Sequence, residues 1–233
     1  MKTFRVLRVF LFLGILAAVG VSGQEGGLAI IGADVVNPLG KSSYPNATIL
    51  IAGNRILQVG PSSRIRVPDG YRIIDARGKW VIPGLIDAHI HFFQSGGLYT
   101  RPDILDLRKY VSYEQEQSDI RKYLRDTFAR YLRCGVTGVV DMGGPLWNFE
   151  VRARADTTLL APRVVLTGPL ISTYQPEKLM TNDPPISKIH SVKEARSLVQ
   201  KEVASGADFI KIWYIVGPGQ KAEVHYPLVQ AVI

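Results

Sequence analysis

Cysteine is almost missing from this sequence. Cys134 is the only one in 233 residues, so an internal disulfide framework is excluded. Its setting in YLRCGVTGVV reads as a buried thiol near a helix end rather than a nucleophile. Acidic residues are missing from the first 23 positions, where Lys2, Arg5 and Arg8 stand around and before an almost wholly apolar run from Val9 to Val21. That run is shorter than the roughly 20 apolar residues a membrane span needs. Small residues at Val21 and Gly23 place a cut before Gln24, which predicts a secretory signal peptide over residues 1–23. The expected protein is therefore secreted or periplasmic, with no stable membrane span after cleavage. No cysteine follows the apolar run, which argues against a bacterial-type lipid anchor. Runs of basic residues are missing too. Residues 24–233 number 210 and carry a formal +5, with the basic groups scattered rather than clustered. Such a charge reads as a solvated surface and gives no reason to expect a nucleic-acid partner. Asn46-Ala47-Thr48 is a glycosylation sequon only where the source glycosylates its secreted proteins.

Residues 28–79 read as all-β. ATILIAG and RILQVG are short apolar runs separated by Gly53-Asn54, a hairpin signal. Pro68, Asp69 and Gly70 mark a loop, and YRIIDARGKWVIP resumes the extended pattern. After Pro83 the pattern becomes strand–helix alternation. Residues 85–91 make the first strand. Ser112-Tyr-Glu-Gln115 is a capping box opening a helix whose stripe runs through Ile120, Tyr123, Leu124, Thr127, Phe128, Tyr131 and Leu132. VTGVVDMGG is the second strand, a helix follows around Leu146 to Leu159, and PRVVLTGP is the third strand. Ser191 to Glu194 caps a helix with Ala195, Leu198, Val199 and Val203 on one stripe. DFIKIWYI is the fourth strand. Such alternation predicts an α/β fold with parallel βα units, whose active edge is the carboxyl end of the strands. His89, His91, Asp141, Thr167 and Lys211 all fall at or near those ends.

The chain has four histidines, and two of them, His89 and His91, stand one residue apart. Positions i and i+2 of a strand share a face, with backbones about 7 Å apart. Two such imidazoles can hold one Zn-like ion, or they can be exposed or satisfied by hydrogen bonds. Asp87 shares the face and could orient a ligand. Lys211 lies in FIKIW, where a lysine must shift its pKa, pair with an acid or be chemically altered. Asp208 is the alternative partner if Lys211 sits at an exposed strand end. His190 reads as a surface residue before a helix.

The stretch KWVIPGLIDAHIHF resembles the signature of the amidohydrolase superfamily. GVTGVVDMGG, PRVVLTGP and GADFIKIW resemble barrel strands 2 to 4 of its imidazolonepropionase-like and prolidase-like branch. The resemblance covers nearly all of residues 28–214. It implies a partial (β/α)8 TIM barrel, about the first four βα units, preceded by an N-terminal β-sandwich segment. The expected divisions are 1–23, 24–82 and 83–233. It also implies that His89 and His91 bind a first divalent metal and that Lys211, carboxylated by CO2, bridges two metals, taken as zinc. The implied reaction is hydrolysis of a carbon–nitrogen bond in a small-molecule amide, cyclic amide or dipeptide-like substrate through a metal-bridging hydroxide. Asp87 and Asp141 become supporting or substrate-side candidates. A homo-oligomer is left open.

The family pattern also calls for histidines after strands 5 and 6 and a general-base aspartate after strand 8. Thirteen residues separate Lys211 from His225. A parallel crossover alone takes about a dozen, so His225 reads as a loop residue before a helix and not as a ligand. No catalytic base is identifiable, and the sequence is expected to hold half a site in a C-terminally truncated chain. The alternative is a non-catalytic fragment or degenerate relative.

Overall fold

A computed structural model describes residues 26–40, 42–94 and 101–233. The leader expected over 1–23 and the glycine-rich part of the loop after His91 lie outside the described residues. The chain divides into two compact units, one ending at Pro83 and one spanning Gly84–Ile233.

The first unit is a single five-stranded sheet among its described residues. Its strands are β1 (Leu28–Val35), β2 (Tyr44–Ala52), β3 (Arg55–Pro61), β4 (Arg72–Asp75) and β5 (Trp80–Val81). Their order is β3-β2-β1-β4, with β5 pairing β1 farther along the edge used by β4. β2 and β3 form the antiparallel hairpin across Gly53-Asn54, with Ile51 opposite Ile56. Ala29, Leu50 and Ile65 form its small core, with Ile31, Val67 and Tyr71 against them.

The second unit alternates strand and helix. β6 (Leu85–Ile90), β7 (Val136–Asp141) and β8 (Arg163–Leu166) form a parallel sheet in sequence order. Helices α1 (Tyr113–Lys122) and α2 (Leu124–Arg133) cross from β6 to β7, and α3 (Asn148–Asp156) crosses from β7 to β8. Ile90, Phe92, Leu124, Phe128, Val139, Val151, Val164 and Leu166 pack as one core between these helices and the sheet. A second parallel sheet has the order β10-β9-β11, from β9 (Leu170–Ser172), β10 (Ile186–Lys188) and β11 (Ile212–Trp213). α4 (Val192–Ala204) leads from β10 towards β11, and a short α5 (Tyr226–Gln230) follows.

Both capping boxes form at their serines: Ser112 accepts from the Gln115 N–H at 3.1 Å and Ser191 from the Glu194 N–H at 3.2 Å. Several finer expectations change. The single helix from Ser112 is interrupted at Tyr123, which is exposed. Its two halves bury different partners: Tyr113 joins Leu170, Leu179 and Ile186, whereas Leu124 and Phe128 join the sheet core. The third strand is shorter, ending at Leu166, β9 and β10 form where no strand was expected, and the fourth is paired only at Ile212 and Trp213. On α4 the buried stripe runs through Ala195 to Glu202, leaving Val203 exposed. A seven-residue step keeps the same helix face, and the acid, not the valine, occupies it. Cys134 is exposed at the end of α2 rather than buried.

Candidate active site

His89 is the next-to-last residue of β6 and His91 follows the strand directly. Their ring centroids lie 5.3 Å apart at an interplanar angle of 74°, so the two-residue spacing turns both rings to one side. The edge of the Phe93 ring continues the row, 5.6 Å from His91. His91 Nδ1 lies 2.8 Å from the Gly143 carbonyl oxygen. A carbonyl only accepts, so Nδ1 carries the proton and Nε2 keeps its lone pair. Burial lowers the pKa of His91, and the charges of His89, Lys211 and Arg101 push the same way, against the Gly143 carbonyl. The neutral imidazole, the form able to ligate a metal, is thereby favoured.

The Gly143 carbonyl is itself held in place. Asp141, the last residue of β7, is fully buried. Its Oδ1 accepts from the Gly143 N–H at 3.2 Å. Its Oδ2 accepts from the Phe92 N–H at 3.3 Å and from Asn148 Nδ2 at 2.6 Å. One carboxyl thus ties together the end of β6, the loop after β7 and the start of α3. Burial raises its pKa to about 7, against the two backbone N–H groups that lower it. Gly143 has φ +132°, and a Cβ there would meet Leu170 at 2.6 Å, so the loop requires glycine.

Lys211 stands just before β11, with its backbone carbonyl accepting from the Ile171 N–H at 3.0 Å. It lines a cavity of about 220 Å³ together with His89, His91 and Arg101. The other walls are Phe93, Gln94, Leu170, Leu179, Ile186 and Trp213. Among the described residues no carboxylate lines this cavity. Asp208 is not the partner of Lys211, because it pairs with Arg152 at 2.6 Å and accepts from the Leu166 N–H at 2.9 Å. Among the described residues no acid forms an ion pair with Lys211.

Asp87 is placed differently. Its Oδ1 accepts from the His89 N–H at 3.3 Å, and it borders a wide groove of about 920 Å³ along α1 and α2, not the smaller cavity. His91 borders both spaces. Thr167 is buried and serves the backbone, its N–H donating to the Asp141 carbonyl. His190 is exposed, and His225 sits in a short turn before α5, beside a different cavity. Among the described residues no three His, Cys, Asp or Glu side chains converge on one point. Asn148, seven residues beyond Asp141, had no signal in the sequence, and Arg101 comes from the long loop after β6.

The Amidohydrolase family model matches residues 80–216, more than half of the chain. The chain belongs to the amidohydrolase family. Within that family it is 39% identical over 80 residues to an adenine deaminase of Deinococcus radiodurans, covering 34% of this chain and 14% of the deaminase. It is 31% identical over 157 residues to a 5'-deoxyadenosine deaminase of Methanothrix thermoacetophila, covering 63% of this chain and 35% of the relative. Among solved structures, a putative prolidase from Bifidobacterium longum superposes with a TM-score of 0.62 at 24% identity, over 89% of this chain and 46% of the prolidase. This amidohydrolase chain therefore spans less than half the length of each of these three proteins. The structural likeness speaks to the fold, a mixed α/β architecture like that of the amidohydrolase barrels.

Proposed function

We propose that this protein is a metal-dependent hydrolase of carbon–nitrogen bonds, with the cavity bounded by His89, His91 and Lys211 as its reaction site. The observation that carries this reading is the convergence of those three side chains, from β6 and from the approach to β11, on one small cavity. The names of the relatives, two deaminases and a prolidase, support a small-molecule substrate with a carbon–nitrogen bond to break.

The donor set accepts a divalent metal under one condition. His91 offers a neutral imidazole whose Nδ1 is already engaged, and His89 lies beside it. Lys211 as an ammonium would repel a dication. Carboxylated by CO2 it becomes an anion able to hold one or two, zinc being the expected ion. The apolar part of the cavity wall and the lack, among the described residues, of an acid paired with Lys211 are consistent with that conversion. A metal bound there supplies Lewis-acid polarisation of the scissile carbonyl or ring carbon and a water acidic enough to attack near neutral pH. The protein's own part is orientation. Gly143 fixes the His91 ring, Asp141 and Asn148 fix Gly143, and Phe93, Leu170, Leu179, Ile186 and Trp213 keep the cavity apolar. Among the described residues no carboxylate reaches the cavity, so a general base is not assigned.

The remaining expectations belong to the same proposal: a partial barrel of about four βα units after a β-sandwich segment, a division near residue 83, and secretion or periplasmic location through residues 1–23. Elemental analysis of the full chain, reconstituted with zinc in the presence and absence of bicarbonate, tests the central claim. The expected result is zinc retained with bicarbonate, a mass increase of one CO2 on a peptide containing Lys211, and loss of both in the Lys211→Ala variant. Zinc binding that is absent, or unaffected by His89→Ala and His91→Ala, overturns it.

A further inference from the structure

A second cavity lies in the same unit as the reaction cavity and shares none of its residues. Leu170 on β9, Ile186 on β10 and Trp213 on β11 line the reaction cavity; Thr173, Lys188 and Ile215, two or three positions later along the same three runs, line the second. Its volume of about 560 Å³ falls among pockets that hold a small organic molecule. Lys188 ends β10, His190 follows it, and His225 borders the same space from the short turn before α5. Among the described residues no carboxylate lines the space. Glu194 on α4 accepts from the His190 N–H at 2.9 Å and lines a neighbouring cavity instead. The walls are tied together from behind. Thr173 Oγ1 donates to the Ile215 carbonyl at 2.6 Å and accepts from the Ile215 N–H at 2.9 Å, which joins the ends of β9 and β11. The Tyr214 hydroxyl donates to the Ala222 carbonyl, and the Tyr214 ring stands edge-on to His225. Gln220 Oε1 accepts from the Gly217 N–H at 3.1 Å, which leaves the amide Nε2 as a donor. Among the described residues, Lys188 Nζ and the ring nitrogens of His190 and His225 have no hydrogen-bond or ion-pair partner.

We infer that this second cavity binds a small organic phosphate, with Lys188 as its charged anchor and His190, His225 and Gln220 as further donors. A phosphate monoester carries a charge between −1.5 and −2, roughly, near neutral pH and offers three strong acceptor oxygens. Those oxygens point in different directions. Donors arriving separately from β10, from the loop after β11 and from the turn before α5 suit that tetrahedral group, whereas a planar carboxylate is matched by a single fork such as a guanidinium. Ile189, Ile215, Val216 and Leu228 give the rest of the wall an apolar surface for the organic part. Lys188 and His190 are exposed, so the phosphate enters from solvent without any opening of the fold. No proposed metal ligand takes part, so the site is independent of the proposed hydrolysis.

Calorimetric titration of the full chain near neutral pH with phenyl phosphate, inorganic phosphate and phenol tests the site. Phenyl phosphate is expected to bind, inorganic phosphate at least about fivefold more weakly for want of apolar contact, and phenol not measurably. Lys188→Ala is expected to weaken phenyl phosphate at least about tenfold, and His225→Ala about threefold to fivefold. Lys211→Ala and Arg101→Gln, which remove the lysine and the arginine of the reaction cavity, are expected to leave its affinity unchanged. Should Lys188→Ala fail to fold, Lys188→Gln removes the same charge and is expected to show the same loss. Binding that survives the loss of the Lys188 charge, or that disappears in Lys211→Ala or Arg101→Gln, overturns the inference. So does inorganic phosphate or phenol binding as tightly as phenyl phosphate.

Discussion

Asp141 at the end of β7 and Glu202 on α4 are both fully buried carboxyls whose pKa values are raised by loss of water, to about 7 and about 8. Their surroundings differ. Asp141 meets three donors, and through them it connects two strands' ends, a loop and a helix next to His91. Among the described residues neither oxygen of Glu202 has a hydrogen-bond partner. Glu202 packs against the backbone at Gly168, where an added Cβ would come within 2.8 Å of its Cγ. The same loss of water is thus compensated at one place and not at the other. The difference separates a polar group that builds a site from one that only fills a layer.

Removing each carboxyl should give opposite signs. Asp141→Ala leaves the Phe92 and Gly143 N–H groups and the Asn148 amide unpaired, and is expected to cost about 3 kcal/mol in chemical denaturation. It should also weaken zinc binding by about 10- to 100-fold, since it releases the carbonyl that orients His91. A loss of stability with unchanged zinc affinity would sever Asp141 from the site. Glu202→Met removes two unpartnered oxygens at similar volume and is expected to stabilise the protein by about 2 kcal/mol at pH 8. A destabilised Glu202→Met variant would mean that this acid has a partner role and that the contrast fails.

The same pair has a pH signature. Glu202 ionises at an ordinary 4.5 when unfolded and near 8 when folded, so the native state holds the extra proton between those values. Its contribution is therefore full below about pH 4.5 and is lost as pH rises through about 8, a fall on the order of a few kcal/mol. Denaturation midpoints across that window should decline in the native protein and decline less in Glu202→Met. The slope that remains between 3.8 and about 7 is assigned to Asp141, whose shift has the same sign. A smaller effect belongs to Asn148→Ala, which removes one of three donors to Asp141 and is expected to cost about 1 kcal/mol. Smallest of all, Cys134→Ser at an exposed helix end should change stability by less than about 0.5 kcal/mol, and Cys134 should react with thiol reagents in the native state.

Much of the scaffold was legible in the residues. Gly53-Asn54 announces its hairpin, the two serine caps start their helices where expected, and PGLIDAHIH puts His89 and His91 at the end of the first strand of a parallel sheet. These are local signals, each decided within a few residues by backbone geometry or a side chain's reach. The exposed Cys134, the break at Tyr123, and the exchange of Val203 for Glu202 on the buried face of α4 were not legible. Each depends on what the helix packs against, which periodicity alone does not specify.

By itself the sequence determined the alternation of strands and helices after Pro83, the direction shared by His89 and His91, and the oddity of a lysine within FIKIW. The tertiary structure alone decided what those residues meet. It brought Lys211 across from another sheet to face His91 and gave Asp208 to Arg152 instead of to Lys211. It also used Asp141 and Asn148, seven residues apart, to hold the Gly143 carbonyl against His91, 52 residues from Gly143 in the chain. Periodicity and caps are short-range and survive in the sequence as patterns. Hydrogen-bond satisfaction and charge pairing across a buried site are long-range, and they exist only once the chain has folded.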